Sequence, residues 1–376
     1  MSHSEVPLGR GSVLQANGRQ GLAAAWRLGD RSGLAMLVII GLVIATGAMF
    51  ALSVTVGASD ASVTSLIATL LGFGDADAAL SARDRIIILD IRLPRAVLGL
   101  MIGASLAVSG VVLQGLFRNP LADPGLVGVS AGASLGAVGV IVLGGTVLAP
   151  LFALAGIYTL PLAAFFGGLA TTFLLYRIAT RGGQTSVATL LLAGIALAAL
   201  TGAVTGVLVY MADDKQLRDL TFWGLGSLAG ATWSKVVAIA PIILVSFLVI
   251  PFLARGLNAI TLGEAAAFHM GVPVERLKRI AIVAVAAATG ASVAVSGGIG
   301  FVGIVVPHLL RLVIGPDHRT LLPASALLGG ALLLFADMIA RTIVAPAELP
   351  IGIITALAGG PFFLWLLLRG RAQLGL

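Results

Sequence analysis

The sequence contains no cysteine among its 376 residues. Disulfides, thiolate nucleophiles, thiolate-held zinc and iron–sulfur clusters are therefore excluded. Charge is the second scarcity: Asp, Glu, Lys and Arg make up 10% of the chain, against about 25% in soluble domains. Lysine occurs only at Lys215, Lys235 and Lys278. None of the three follows a glycine-rich phosphate loop, so the chain has no Walker A nucleotide site of its own. The four histidines, His3, His269, His308 and His318, show no metal-ligand spacing. No chain of acids or histidines runs through the apolar segments, which argues against an ion-coupled carrier.

What is abundant is apolar. Hydrophobic residues form 59% of the chain and mean hydropathy is +1.09. These values predict an all-α polytopic membrane protein, and the 49 glycines suit closely packed membrane helices. Ten apolar runs of spanning length, about 17–25 residues, lie near 34–56, 93–115, 125–145, 151–176, 187–211, 232–253, 277–297, 300–314, 321–341 and 351–368. The eighth is short. Residues 1–33 read as a polar cytoplasmic tail, and 34–376 as a single transmembrane domain with halves at about 34–211 and 232–369. The first run is too long for a signal-peptide core and reads as a retained span.

Basic residues set the orientation. With the N-terminus inside, the inner segments hold fifteen Lys and Arg residues and the outer segments eight. Both termini are then cytoplasmic, and the formal charge of +7 reflects topology rather than a nucleic-acid partner. Gly103–Gly110, GASLAVSG, is echoed by Gly290–Gly297, GASVAVSG, with seven of eight positions identical. Five spans per half would make the halves inverted repeats, a common transporter plan, with the echo marking equivalent second and seventh helices.

Three places hold unusual chemistry. Arg92 and Arg95 flank Pro94 at the expected outer mouth, either as snorkelling interfacial arginines or as a docking point for an acidic partner. Asp337 and Arg341 lie four residues apart on the ninth span, the spacing of an ion pair on one helix. Arg255–Arg279 is a wet stretch between two blocks of apolar runs, with a cytoplasmic loop expected over 254–276. It holds a short helix-forming core, Leu262–Met270, stopped by Gly271, Val272 and Pro273. Glu264 near its start favours the helix dipole, and Ala265, Ala266 and Ala267 offer a small face to a partner groove. Asp213–Gly230 reads as an outer amphipathic piece with Phe222 and Trp223 at the interface.

Long stretches resemble the permease subunits of bacterial type II ABC importers for iron complexes and cobalamin, a FecCD-like family. They are IRLPRAVLGLMIGASLAVSGVVLQGLFRNPLADPGLVGVSAGA, LLLAGIAL, LGEAAAFHMGV, GFVGIVVPHLLRLVIGPDHRTLLPASALLGG and ADMIARTIVAPAELPIGIITALAGGPFFLWLL. The resemblance implies a transport subunit in the bacterial inner membrane rather than an enzyme. It implies a second copy of the chain, two copies of a cytoplasmic ABC ATPase that uses ATP and Mg²⁺, and a periplasmic haem- or iron-complex-binding protein. It implies binding-protein docking by Arg92, Arg95 and Arg341. It places ATPase coupling at Leu262, Gly263, Glu264, Ala267, His269 and Gly271, and a cytoplasmic gate at Ser186, Val187, Ala188 and Thr189. No cofactor or metal is expected on this chain. The stretches LRDLTFWGLGSLAGATW, GPDHRTLLPASALLGG and IVAPAELPIG resemble the haem-importing branch, so haem is the expected cargo, with ferric siderophore and cobalamin as alternatives. A stand-alone secondary transporter is the rival of a different class.

Overall fold

The computed structural model describes residues 31–57, 82–125, 128–146, 149–181 and 184–374. Residues 1–30 of the expected tail lie outside the described residues. A helix occupies each of the ten expected spans: α1 Ser32–Thr55, α2 Ala82–Phe117, α3 Val129–Leu143, α5 Thr159–Ala179, α6 Val187–Met211, α8 Trp233–Thr261, α10 Val274–Ser296, α11 Val302–Ile314, α12 His318–Thr342 and α13 Ile351–Leu374. Three shorter pieces join them: α4 Ala149–Ala155, α7 Asp214–Gly224 and α9 Glu264–His269. A two-stranded hairpin, β1 Thr180–Arg181 and β2 Gln184–Thr185, is the only sheet among the described residues.

Seven of these helices are long and apolar enough to cross a bilayer, about 20 residues being required at 1.5 Å per residue. α3, α11 and the apolar part of α13 are shorter. α2 begins earlier than its hydropathy predicts, because a π-helical turn, Ile86–Arg92, precedes its regular part. Pro94, which has no N–H to donate, sits where the register changes.

Composition does not say which helices are central, but the packing does. In the most apolar window of α2, 83% of residues are buried, and in that of α10, 72%. The corresponding share is 11% for α1 and 17% for α6. These two most buried helices are the pair that carry the repeated octapeptide. They touch at a polar position of the first octapeptide, where Thr289 Oγ1, the residue just before the second, donates to Ser109 Oγ over 3.2 Å. Glycine makes such closeness possible. A Cβ on Gly103 would collide with the Gly329 carbonyl of α12, and one on Gly329 with the Gly103 carbonyl, so the backbones of α2 and α12 meet through paired small residues.

Polar residues proved a poor guide to helix ends around Arg255. α8 continues to Thr261 and α10 starts at Val274, so the segment joining them is shorter than the expected 254–276. Leu253, Ala254, Leu257 and Ile260 keep a buried helical stripe, which continues while Arg255 and Thr261 face outward. α7 is capped as its sequence suggests: Asp213 Oδ1 accepts from Gln216 N over 2.8 Å, and Gln216 Oε1 accepts from Asp213 N over 3.1 Å.

The turn after α2 is built from its own side chains. Asn119 Oδ1 accepts from Leu121 N at 2.9 Å, and Asp123 Oδ1 from Gly125 N at 2.8 Å. Burial pushes the Asp123 carboxyl up to about 6, and the Gly125 N–H offsets only part of this. An acid with a raised folded-state value favours folding while protonated, and loses that contribution as pH rises from the ordinary value near 4 through the folded value. The detergent-solubilised protein should therefore lose thermal stability between about pH 4 and pH 6, and Asp123→Asn should remove that part of the slope. An identical slope in the variant would refute the assignment.

Candidate functional site

α8 orients the bundle. At its start Trp233 Nε1 donates to Leu89 O over 2.9 Å, beside the first turns of α2. Near its end Asn258 Oδ1 accepts from His318 N over 2.9 Å, and the His318 ring lies against Gly115 at the far end of α2. The twenty-nine residues of α8 thus separate two ends by about 40 Å. Each end holds a buried charge cluster.

The first cluster joins α1, α2 and α12. Arg95, 5% exposed, grips Asp337 in a fork: Nε donates to Oδ1 and Oδ2 at 3.1 and 3.0 Å, and Nη2 to Oδ1 at 2.9 Å. Its Nη1 donates to Glu348 Oε1 at 2.8 Å. Arg92 Nη1 donates to the carbonyls of Val54 and Thr55 at 3.1 and 2.7 Å. Arg341 Nη2 donates to Ser53 O and Oγ at 2.7 and 3.0 Å. Arg92 and Arg341 therefore cap the last carbonyls of α1, which a helix leaves unsatisfied at its negative end. The expected Asp337–Arg341 pair along one helix is the weaker contact, with Arg341 Nε 3.7 Å from Oδ2. All three arginines expected at a docking surface are buried and engaged within the chain. Glu348, more than a third exposed, is the carboxylate of this cluster that reaches the surface.

The second cluster holds α9. Two backbone bends bracket this helix, Gly263 at φ +114° and Gly271 at φ +80°, a region that strains other residues. Glu264 turns inward, and its Oε2 accepts from Lys278 Nζ at 2.7 Å. Ala267 is fully buried, so it is a packing residue and the small alanine face expected at the surface is not wholly outward. The outward edge is apolar instead: Leu262, Phe268 and Met270 are 71%, 70% and 54% exposed. His269 is also exposed, edge-on to Phe268 with ring centroids 6.0 Å apart. Phe268 and Met270 are residues that the sequence reading passed over. Their signal was two large apolar side chains inside an otherwise wet stretch.

The expected gate lies where the hairpin meets α6. Ser186 is the N-cap, its Oγ accepting from Thr189 N at 3.3 Å and from Thr189 Oγ1 at 3.0 Å. Val187 and Ala188 open the helix behind it. Ser186 N donates to Ala179 O at 3.0 Å, closing the hairpin at its base. No grouping of metal-ligating side chains occurs among the described residues.

Residues 37–369 match the FecCD transport family. The chain is 51% identical over 285 residues to the hemin transport system permease protein of Yersinia pestis, across 76% of this chain and 84% of that one. It is 49% identical over 283 residues to the cobalamin import system permease protein of Halobacterium salinarum, across 75% of this chain and 73% of that one. It is 43% identical over 297 residues to the vitamin B12 import system permease protein of Klebsiella pneumoniae, across 78% of this chain and 86% of that one. Among solved structures, an ABC transporter in an inward-facing conformation superposes with a TM-score of 0.74 at 31% identity, covering 88% of this chain and 99% of that chain.

The first cluster gives a graded stability prediction. Asp337→Ala strands buried guanidinium charge and should destabilise the protein by about 3–5 kcal/mol. Glu348→Gln removes a partly solvated pair and should cost no more than about 1 kcal/mol. Thermal unfolding in detergent distinguishes the two variants; equal losses would contradict the ranking.

Proposed function

The chain belongs to the FecCD transport family, and from that premise we propose that it is the membrane permease of an ATP-driven haem importer, working as a homodimer in the bacterial inner membrane. It is a multi-pass permease component of an ABC importer, which implies an ATPase and a binding protein as partners. The observation that carries the haem assignment is the 51% identity to a hemin permease over most of both chains. The cobalamin permeases at 49% and 43% identity define the rival cargo. Both ligands are large metal-bearing macrocycles, so one general architecture suits either.

The energy enters at α9. An apolar edge of Leu262, Phe268 and Met270, exposed at a wet end of the bundle, suits insertion into a cleft of an ATPase subunit, where its burial is favourable. Glu264, Gly263, Gly271 and Ala267 shape and seat that helix, and His269 lies on its contact face. At the other end, carboxylates of a periplasmic binding protein dock at the arginine cluster. Arg95 already spends one side of its guanidinium on Asp337, so an incoming carboxylate competes with Glu348 for Nη1. Three guanidinium groups against two carboxylates leave this cluster positive, which favours an acidic partner and makes docking salt-sensitive. Ser186–Thr189 then forms the cytoplasmic gate at the start of α6.

Proteoliposomes holding the permease, its ATPase and the binding protein should accumulate hemin when ATP is supplied. They should accumulate neither cyanocobalamin nor a ferric siderophore. Uptake of cyanocobalamin without hemin would replace the haem reading by the corrinoid one, and uptake without any ATPase would overturn the ATP-driven reading altogether.

A further inference from the structure

Lys278 is an unusual residue to find in this bundle. It is one of three lysines and only 1% exposed. Burying an ammonium is costly unless it is paired, and an aliphatic side chain would fill the same space more cheaply. Its surroundings give it partners on two other elements. Nζ lies 2.7 Å from Glu264 Oε2 on α9 and 3.7 Å from Glu275 Oε1 on its own helix, α10. It also stands 5.8 Å from the centre of the Tyr176 ring on α5, within cation–π range. Tyr176 Oη in turn donates to Glu275 Oε2 at 2.7 Å. One ammonium thus connects the consecutive helices α9 and α10 to α5, which is about a hundred residues away in sequence.

The connection has a direction. Glu264 is the first residue of α9, immediately after the bend at Gly263. Tyr176 lies three residues before Ala179, the end of α5, and the Ala179 carbonyl holds Ser186 at the hairpin base. A displacement of α9 therefore reaches the Ser186 cap of α6 through one ion pair, one cation–π contact and one turn of helix. α9 is short and bounded by two glycine bends, and the side chains that hold it inward are Ala267 by packing and Glu264 by its pair with Lys278. We infer that Lys278 is a positioning residue for energy coupling, linking the ATPase-facing helix α9 to α5 and so to the gate hairpin. The inference rests on the reading that α9 seats in an ATPase, and it adds the route by which that contact moves the gate.

Lys278→Met keeps the bulk and the buried stem but removes the charge link. In proteoliposomes with the ATPase and binding protein, loaded with hemin or cyanocobalamin, whichever the wild type accumulates, three quantities are read: ATPase co-purification, ATP hydrolysis and ligand moved per ATP. The expected result is normal co-purification and continued hydrolysis, with ligand moved per ATP reduced about tenfold. Lys278→Arg, which retains the charge, should recover much of the ratio. Tyr176→Leu removes the ring that carries the cation–π contact while leaving the Lys278–Glu264 pair in place, and should lower the ratio less; it also decides the matter should the methionine variant fail to fold. An unchanged ratio in Lys278→Met with the ATPase bound, or in Tyr176→Leu when the former does not fold, overturns the link. Failure of the wild type itself to hold the ATPase would instead overturn the underlying reading of α9, and the two failures are therefore distinct.

Discussion

Arg95 and Asp337 are 242 residues apart in sequence and meet where neither can be hydrated. An ion in a bilayer-spanning bundle has to bring its counter-ion and hydrogen-bond partners from within the chain. That requirement fixes the relation of α2 to α12, and through Arg92 and Arg341 it fastens the end of α1 to both. The same rule operates at the other end, where Lys278 has to reach Glu264 and thereby seats α9. With charge so scarce, each buried ion marks a joint between helices. The joints lie at the two ends of the bundle, where an importer has to communicate with its partners, while its middle is held by apolar packing.

That middle depends on small residues. α2 and α10 carry the repeated octapeptide, are the most buried spans and touch at Ser109 and Thr289. In lipid, apolar side chains gain little from one another that lipid tails would not supply, so close backbone approach and occasional hydroxyl contacts hold the helices. The Gly103–Gly329 contact is one such approach. The repeat therefore has a physical reading: two helices with the same small, weakly polar face occupy the centre together.

Much of this was legible from residue patterns, because hydropathy over about 20 residues reports directly on burial in lipid. All ten helices lie where apolar runs place them, and the Gly271–Pro273 stop does end α9. Long-range pairing was not legible. Nothing local to Arg92 indicates that it caps the carbonyls of Val54 and Thr55, and the i,i+4 spacing of Asp337 and Arg341 suggested a partner that proved secondary to Arg95. Polarity also misled at Arg255, where one outward-facing side of a helix resembled a loop. At α9 the sequence indicated a short helix before the Gly271 stop, while its facing had to come from the structure. Ala267 points in and Phe268 points out, a distinction that six helical residues are too few to reveal by periodicity.

The central claim is that α9 is the surface through which ATP hydrolysis reaches this permease. The most direct test is a photo-crosslinking amino acid at position 268 in membranes that contain the complete transporter, with the same group at the exposed position 166 on α5 for comparison. The account predicts an adduct between position 268 and the ATPase chain, formed in high yield and absent from position 166. Adducts of position 268 only with lipid or with a second copy of the permease, while the ATPase remains bound elsewhere, would contradict it.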